Sequence, residues 1–206
     1  MTTMLKIRAL IPGEVFDYQM LMYALKDFKK PRDKVTALLK NEDIIQVKRG
    51  LYVFGEAYRR NLLSLEVISG MLVQPSYISR EYALKKYGLL IENVETVTCM
   101  TIKHKKQFET PIGRFDYVFI SKKKFSLGVV SKQYSSEGGV LFATKEKALA
   151  DWIATFPPIE NLKTLHHFLY EESRIDEKTL FPLDQKLIHD IASIYNNPNV
   201  TLLTSL

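Results

Sequence analysis

The stretch that decides the reading is DYQMLMYALKDFKKPRDKVTALLKNEDIIQVKRGLYVFG, residues 17–55. Over residues 17–28, Leu21, Ala24, Leu25 and Phe28 share one helical face, with Phe16 leading in. Lys29-Lys30-Pro31 breaks the pattern. Proline suits the first turn of a new helix and disfavours helical geometry at the residue before it. A second helix is therefore predicted over residues 31–42, with Val35, Leu38 and Leu39 inward. Residues 43–55 are rich in β-branched and aromatic side chains and are split by Lys48-Arg49-Gly50. That predicts a two-stranded hairpin, with Gly50 supplying the freedom of the turn. Helix, short break, helix, hairpin is the order of a winged helix-turn-helix. Residues 1–15 add a first helix or an extended arm.

Beyond the hairpin, residues 57–73 are expected to be helical, with Leu62, Leu63, Leu65, Ile68 and Leu72 forming a broad apolar surface that ends at Pro75. Tyr77-Ile78 reads as a short strand, and Ser79 as the cap of a helix with Glu81 in its first turn and Gly88 past its end. From Val94 to about Val130 the chain reads as strands (94–103, 106–113, 115–121 and 125–130), with Lys122-Lys123-Lys124 between two of them. SKQYSSEGG, residues 131–139, is expected to be a mobile loop. A strand at 140–143 precedes a Thr144-capped helix that buries Ala148, Leu149, Trp152 and Ile153 and stops at Pro157-Pro158. Short helices follow, and the terminal NVTLLTSL is apolar enough to pack back. The expected fold is α+β in two domains. A winged helix-turn-helix spans 1–58, and an α/β body on a mixed or antiparallel sheet spans 59–206, with a helical tail from about 159.

The 206 residues are 46% hydrophobic and 25% charged, which excludes wholesale disorder. No run approaches the ~18–20 apolar residues of a membrane helix. Pro12, Gly13, Glu14 and Asp17 interrupt any signal-peptide core. A single cysteine, Cys99, excludes an internal disulfide framework and a four-cysteine zinc site. A cytoplasmic protein with no membrane partner is expected. The net charge is +6, and residues 1–60 hold 12 Lys/Arg against 7 Asp/Glu, whereas residues 61–206 hold 17 against 16. A basic head on a near-neutral body points to a polyanion, and to nucleic acid first.

On a helical wheel of residues 31–42, Asp33, Thr36, Ala37 and Lys40 lie opposite the apolar stripe. Lys34 and Asn41 border that face, Arg32 lies nearer the buried edge, and Lys29 and Lys30 stand at the N-terminus. The second helix of such a motif enters the major groove, where Arg and Lys favour guanine and Asn reads adenine. Lys48 and Arg49 are expected to reach phosphates or the minor groove from the hairpin tip. Gly50 and Tyr52 are assigned to the fold.

Three blocks, GLYVFGEAYRR (50–60), PSYISREYALKKYGLL (75–90) and FATKEKALADWI (142–153), occur in series. In them the chain resembles the AbiEi-type antitoxins of bacterial type IV, or abortive-infection, toxin–antitoxin pairs, over roughly residues 15–155. The resemblance implies a winged-helix domain that represses the pair's own promoter. It also implies a C-terminal domain that neutralises a nucleotidyltransferase-like toxin. With no P-loop, G-x-G-x-x-G or G-x-S-x-G in the chain, no cofactor and no catalytic role are expected. Arg80, Lys85 and Lys86 are candidates for the partner surface, weighed against a plain solvated helix face.

Two alternatives stand beside this reading: a protein-interaction module whose basic head binds an acidic partner, and a metal-dependent nuclease. Asp116, Glu146 and Lys147 faintly suggest the nuclease, but the spacing is wrong for a Glu-x-Lys strand pair. Glu146 is explained by the helix dipole, and Asp151 by a bond to backbone or to Lys147 four residues before it. His166-His167 has no ligand companions at metal spacing, and His104 and His189 are isolated. Cys99 sits in an alternating strand and reads as buried.

Overall fold

The structure, a computed structural model, describes residues 3–135, 138–180 and 183–206. Helix α1 (Thr3–Leu10) leads into strand β1 (Val15–Asp17), helices α2 (Tyr18–Ala24) and α3 (Pro31–Lys40), and strands β2 (Ile44–Lys48) and β3 (Leu51–Phe54). The Asp17 carboxylate caps α2, accepting from the Met20 amide at 2.8 Å. The helix stops at Ala24 rather than Phe28. The amides of Leu25, Lys26 and Phe28 each reach a carbonyl three residues back, which tightens the chain into turns before Pro31 opens α3. β1, β3 and β2 form an antiparallel sheet with β3 central. The hairpin closes through Arg49-Gly50, where Gly50 takes a φ of +84°. At its open end, a Cβ on Gly55 would lie 1.9 Å from the Glu42 carbonyl oxygen, so only glycine lets the strand pass the end of α3.

Every side chain of β3 is buried. Tyr52 and Phe54, with Phe16 and Ile44, meet Ile7, Leu21, Leu25, Val35 and Leu38 in a small core beneath the three helices. Leu51 and Val53, with Val15 and Val47, face the other way and join a larger core. That core is built by helix α4 (Leu65–Leu72), strand β4 (Ser76–Ile78), helix α5 (Arg80–Lys86), strands β5 (Thr96–Thr101), β6 (Lys106–Thr110) and β7 (Gly113–Phe119), helix α6 (Lys122–Phe125), strands β8 (Val129–Ser135) and β9 (Gly138–Ala143), and helix α7 (Lys145–Ile153). The six strands are ordered β6-β7-β5-β4-β9-β8. β4/β9 and β5/β7 are parallel and the other pairs antiparallel, so the sheet is mixed. Helix α8 (Leu162–His166), a π-helical turn (His167–Glu172), and helices α9 (Glu177–Leu180), α10 (Gln185–Tyr195) and α11 (Pro198–Leu202) complete an α+β fold. Val200 and Leu203 are buried, so the apolar C-terminal segment does pack back. Among the described residues no helix is long and apolar enough to cross a membrane.

Four local expectations are corrected. The strand expected over 125–130 begins only at Val129, because Lys122–Phe125 form helix α6. The helix expected over 57–73 begins only at Leu65, capped by the Ser64 hydroxyl. Before it, the amides of Arg60 and Asn61 each donate to the Glu14 carboxylate at 3.1 Å, which holds the chain in an irregular path, and Leu62 is 96% exposed. The loop expected at 131–139 is instead strand: 131–135 belong to β8 and 138–139 to β9, while Ser136 and Glu137 lie outside the described residues. Its polar letters conceal packing side chains. Tyr134 stacks on Phe142 with centroids 5.7 Å apart, and the Lys132 ammonium lies 4.0 Å from the Tyr87 ring centre. Ser79 holds the N-cap position of α5 but makes no side-chain cap; its hydroxyl donates to Asp151 at 2.7 Å.

The turn between α1 and β1 is held by a buried ion pair. The Arg8 guanidinium meets the Glu14 carboxylate, donates to the carbonyls of Ile11 and Gly13 at 3.1 and 2.7 Å, and covers the Phe54 ring at 4.1 Å. Glu14→Ala strands the arginine charge in the core and frees the amides of residues 60 and 61. It is expected to cost about 3–5 kcal/mol in urea unfolding, the usual result of removing one partner of a buried pair.

Candidate functional site

Helix α3 buries Val35 and Leu38 against the small core and half-buries Leu39. Its opposite face is open: Arg32, Asp33, Thr36, Ala37 and Lys40 are exposed, as is Asn41 directly after it. Arg32, expected near the buried edge, projects from the first turn, beyond the packed stripe. Lys34 is half-buried, its ammonium 5.9 Å from the Phe28 ring centre. The Thr36 hydroxyl donates back to the Arg32 carbonyl at 3.2 Å, so it lies close along the helix surface. Lys29 and Lys30 are exposed in the turn before the helix, and Arg49 is exposed at the hairpin turn. None of Lys29, Lys30, Arg32, Lys40 or Arg49 makes an ion pair with a described residue.

Lys48 behaves differently from its neighbour. Its ammonium donates to the carbonyls of Met71 and Leu72 at 3.1 and 2.7 Å, at the C-terminal end of α4. It pins the hairpin to the body instead of standing free at the tip. Lysine is well matched to unsatisfied carbonyls at a helix end. Burial lowers its pKa, and the charges of Lys106 and Lys103 lower it further.

The three cations considered for a partner surface are engaged within the chain. Arg80 bridges Glu81 at 3.0 Å and Asp116 at 3.3 Å. Lys85 donates to the Ile91 carbonyl at 2.8 Å. Lys86 pairs with Glu66 at 2.7 Å and lies over Tyr82 at 5.3 Å. These contacts hold α5 to its surroundings.

The acids that suggested catalysis have separate partners. Asp116 is on Arg80, and Glu146 accepts the Asp184 amide at 3.0 Å. Asp151 lies in a buried network, accepting from the hydroxyls of Tyr77 at 2.9 Å, Ser79 at 2.7 Å and Tyr195. Lys147, also fully buried, stands 3.5 Å from Asp151 and donates to the Tyr195 hydroxyl and, at 2.6 Å, to the Lys124 carbonyl. Burial lowers the Lys147 pKa, and Asp151 opposes the shift. The network joins α7 to β4, α6 and α10. Of its members, the sequence pattern links only Lys147 to Asp151; the three hydroxyls of Tyr77, Ser79 and Tyr195 come from distant segments. The one available signal was an acid on the inward face of α7, which demands partners without naming them. Among the described residues no three His, Cys, Asp or Glu side chains converge to hold a metal ion. No protein-family model matches the chain, and no curated protein does.

Cys99 is buried, and burial pushes its thiol up to about 12. Burial is also the first cause that raises Tyr77, Tyr82, Tyr117 and Tyr195 far above the ordinary tyrosine range. In the unfolded chain these phenols ionise near pH ~10. Above that pH the folded state therefore holds more protons, and the stability they contribute is complete below about pH 10 and lost as pH rises beyond it. The urea midpoint should fall above about pH 10, with tyrosinate absorbance from these side chains appearing only together with unfolding.

Proposed function

We propose that the protein is a double-stranded-DNA-binding autorepressor and the antitoxin of a type IV toxin–antitoxin pair, acting in the cytoplasm by binding rather than catalysis. In this reading residues 1–58 are a winged helix-turn-helix. Helix α3 lies in the major groove of the protein's own promoter, and Arg49 meets the backbone from the hairpin. Residues 59–206 contact a nucleotidyltransferase-like toxin.

One observation carries the DNA-binding reading. The order α1-β1-α2-α3-β2-β3, with β3 central in its sheet, presents an uninterrupted exposed face of α3 that bears Arg32, Thr36 and Lys40, with Asn41 at its end and Lys29 and Lys30 ahead of it. Cations left without an internal partner on a helix of this placement suit phosphate and base edges. Asp33, exposed on the same face, is suited to accept from cytosine N4. The antitoxin half rests on the resemblance of the three sequence blocks.

With Lys48 engaged by the body, six cations remain for this surface: Lys29, Lys30, Arg32, Lys34, Lys40 and Arg49. If about four reach phosphates, log K for promoter DNA against log salt should slope at about −4 or more steeply. A salt-independent affinity would remove the reading. Lys40→Ala should lower discrimination between promoter and scrambled DNA, because a lost base-edge contact costs about 1–3 kcal/mol at one position. Arg49→Ala should weaken both DNAs together and flatten the slope by about one. Titrations of both variants on both DNAs, at two salt concentrations, decide whether α3 is the reader. A Lys40→Ala protein that binds like its parent shows that it is not.

A further inference from the structure

The C-terminal helices frame a hollow that neither the α3 surface nor the Asp151 network uses. Its volume is about 460 Å³, and Phe156, Pro157, Pro158 and Phe168 line it together with Glu160 and Glu172. That size falls within the range of about 300–1,000 Å³ typical of ligand pockets.

The wall of the hollow is fixed from behind. The buried Asn199 side chain, on α11, donates to the carbonyls of Ile153 and Phe156 at 3.2 Å and of Pro157 at 3.0 Å. Its oxygen accepts from the Ile159 amide at 2.7 Å. One side chain thus clamps the segment that carries Pro157-Pro158, and the two proline rings restrict its backbone further. Phe168 and Glu172 come from the π-helical turn His167–Glu172, closed by the Ser173 amide on the Phe168 carbonyl at 2.9 Å. Turns of this kind are rare and recur at functional sites. The Phe156 and Phe168 rings lie 4.7 Å apart at 63°, and the buried Trp152 ring stands 5.3 Å from each. Phe156 and Phe168 are only half-buried, so part of their surface is left to another molecule.

Charge decides what the hollow accepts. Residues 156–176 hold four Asp/Glu against two Lys/Arg, in a chain of net charge +6. Glu160, Glu171 and Glu172 are exposed. Glu160 makes no ion pair with a described residue, and Glu172 lies 3.7 Å from the His167 imidazole with both side chains more than half exposed. This negative rim repels the phosphates that the α3 face suits. Rings beside carboxylates favour a cation with a flat apolar face. A guanidinium is such a group: it stacks on aromatic rings and bonds carboxylates through paired N–H donors.

We propose that the hollow is a docking site for an arginine-bearing segment of a protein partner, its guanidinium lying against Phe156 and Phe168 and pairing with Glu160 and Glu172. The acidic surface continues to Glu171, which matches a basic stretch of chain better than a small isolated cation. The site does not rest on the DNA-binding reading.

Trp152 is the single tryptophan of the chain and touches both lining rings, so its fluorescence reports on the hollow. The full chain is titrated with acetyl-Gly-Arg-Gly-Arg-Gly-amide and with the counterparts in which lysine or glutamine replaces arginine. The arginine peptide should give a saturable change below about 1 mM. The lysine peptide should bind more weakly, and the glutamine peptide should give no change. Glu160→Gln/Glu172→Gln should weaken the arginine peptide about tenfold or more. Raising salt from about 0.05 M to about 0.5 M should weaken the parent in the same direction. Both positions are exposed, so the urea midpoint of the double variant should match that of the parent. No saturable change with the arginine peptide overturns the proposal, and so does binding that the double variant keeps. Equal binding of the glutamine peptide overturns it as well, because charge would then play no part. Self-association of the parent that the double change abolishes gives the site to the basic head of a second copy and overturns the assignment to a different protein.

Discussion

Strand β3 belongs to two cores at once. Its four residues are buried, and the two-residue period of a strand sends Leu51 and Val53 to the large core and Tyr52 and Phe54 to the small one. A strand with one solvated face would leave the helical head loosely tethered. Here the sheet is a shared wall, so moving the head means exposing Val15, Val47, Leu51 and Val53. The buried Arg8–Glu14 pair and the bonds from Glu14 to the amides of residues 60 and 61 fix the exit of that wall, and Lys48 fixes its far end to α4.

This attachment gives the surface of the head a definite relation to the body. α3 and the hairpin turn are displayed by a sheet that cannot tilt independently of the six-stranded one. Preorganisation of that kind limits the entropy lost when an extended, regular ligand is bound at several points. A DNA backbone, the ligand proposed for this face, is such a ligand.

Charge is sorted by burial. Arg8, Glu14, Lys147, Asp151 and Glu66 are buried, and each has an ionic partner within the chain, while the buried Glu146 is held by the Asp184 amide. An isolated charge taken out of water would cost several kcal/mol, so burial goes with an ion pair or a hydrogen bond. The cations of the α3 face, the hairpin turn and the β5–β6 connection stand in water, where they need no internal partner. Composition counts the two groups alike, and only the second is available to another molecule.

Much of the fold is legible in short-range pattern. Pro31 marks the start of α3, Gly50 the hairpin turn, Thr144 the cap of α7, and the apolar stripe of 31–42 the buried face of a helix. Such features are decided within a few residues by steric and hydrogen-bonding limits on the backbone, so the sequence by itself determined α3 and the hairpin after it, the α+β class and the exposed face of α3, but not strand β1 or the early end of α2. It also determined that Cys99 and the apolar face of α7 would be inside. The misreadings share a cause. The start of α4 depends on Glu14, more than forty positions earlier. The strand at 131–135 depends on Tyr87 and Phe142, and the engagement of Lys48 on Met71 and Leu72. Only the tertiary structure decided which lysines are held and which are free, and that Lys48 and Lys103 share a neighbourhood. A local window contains a residue's conformational preferences, but the partner that satisfies its charge is chosen by the packing of distant segments.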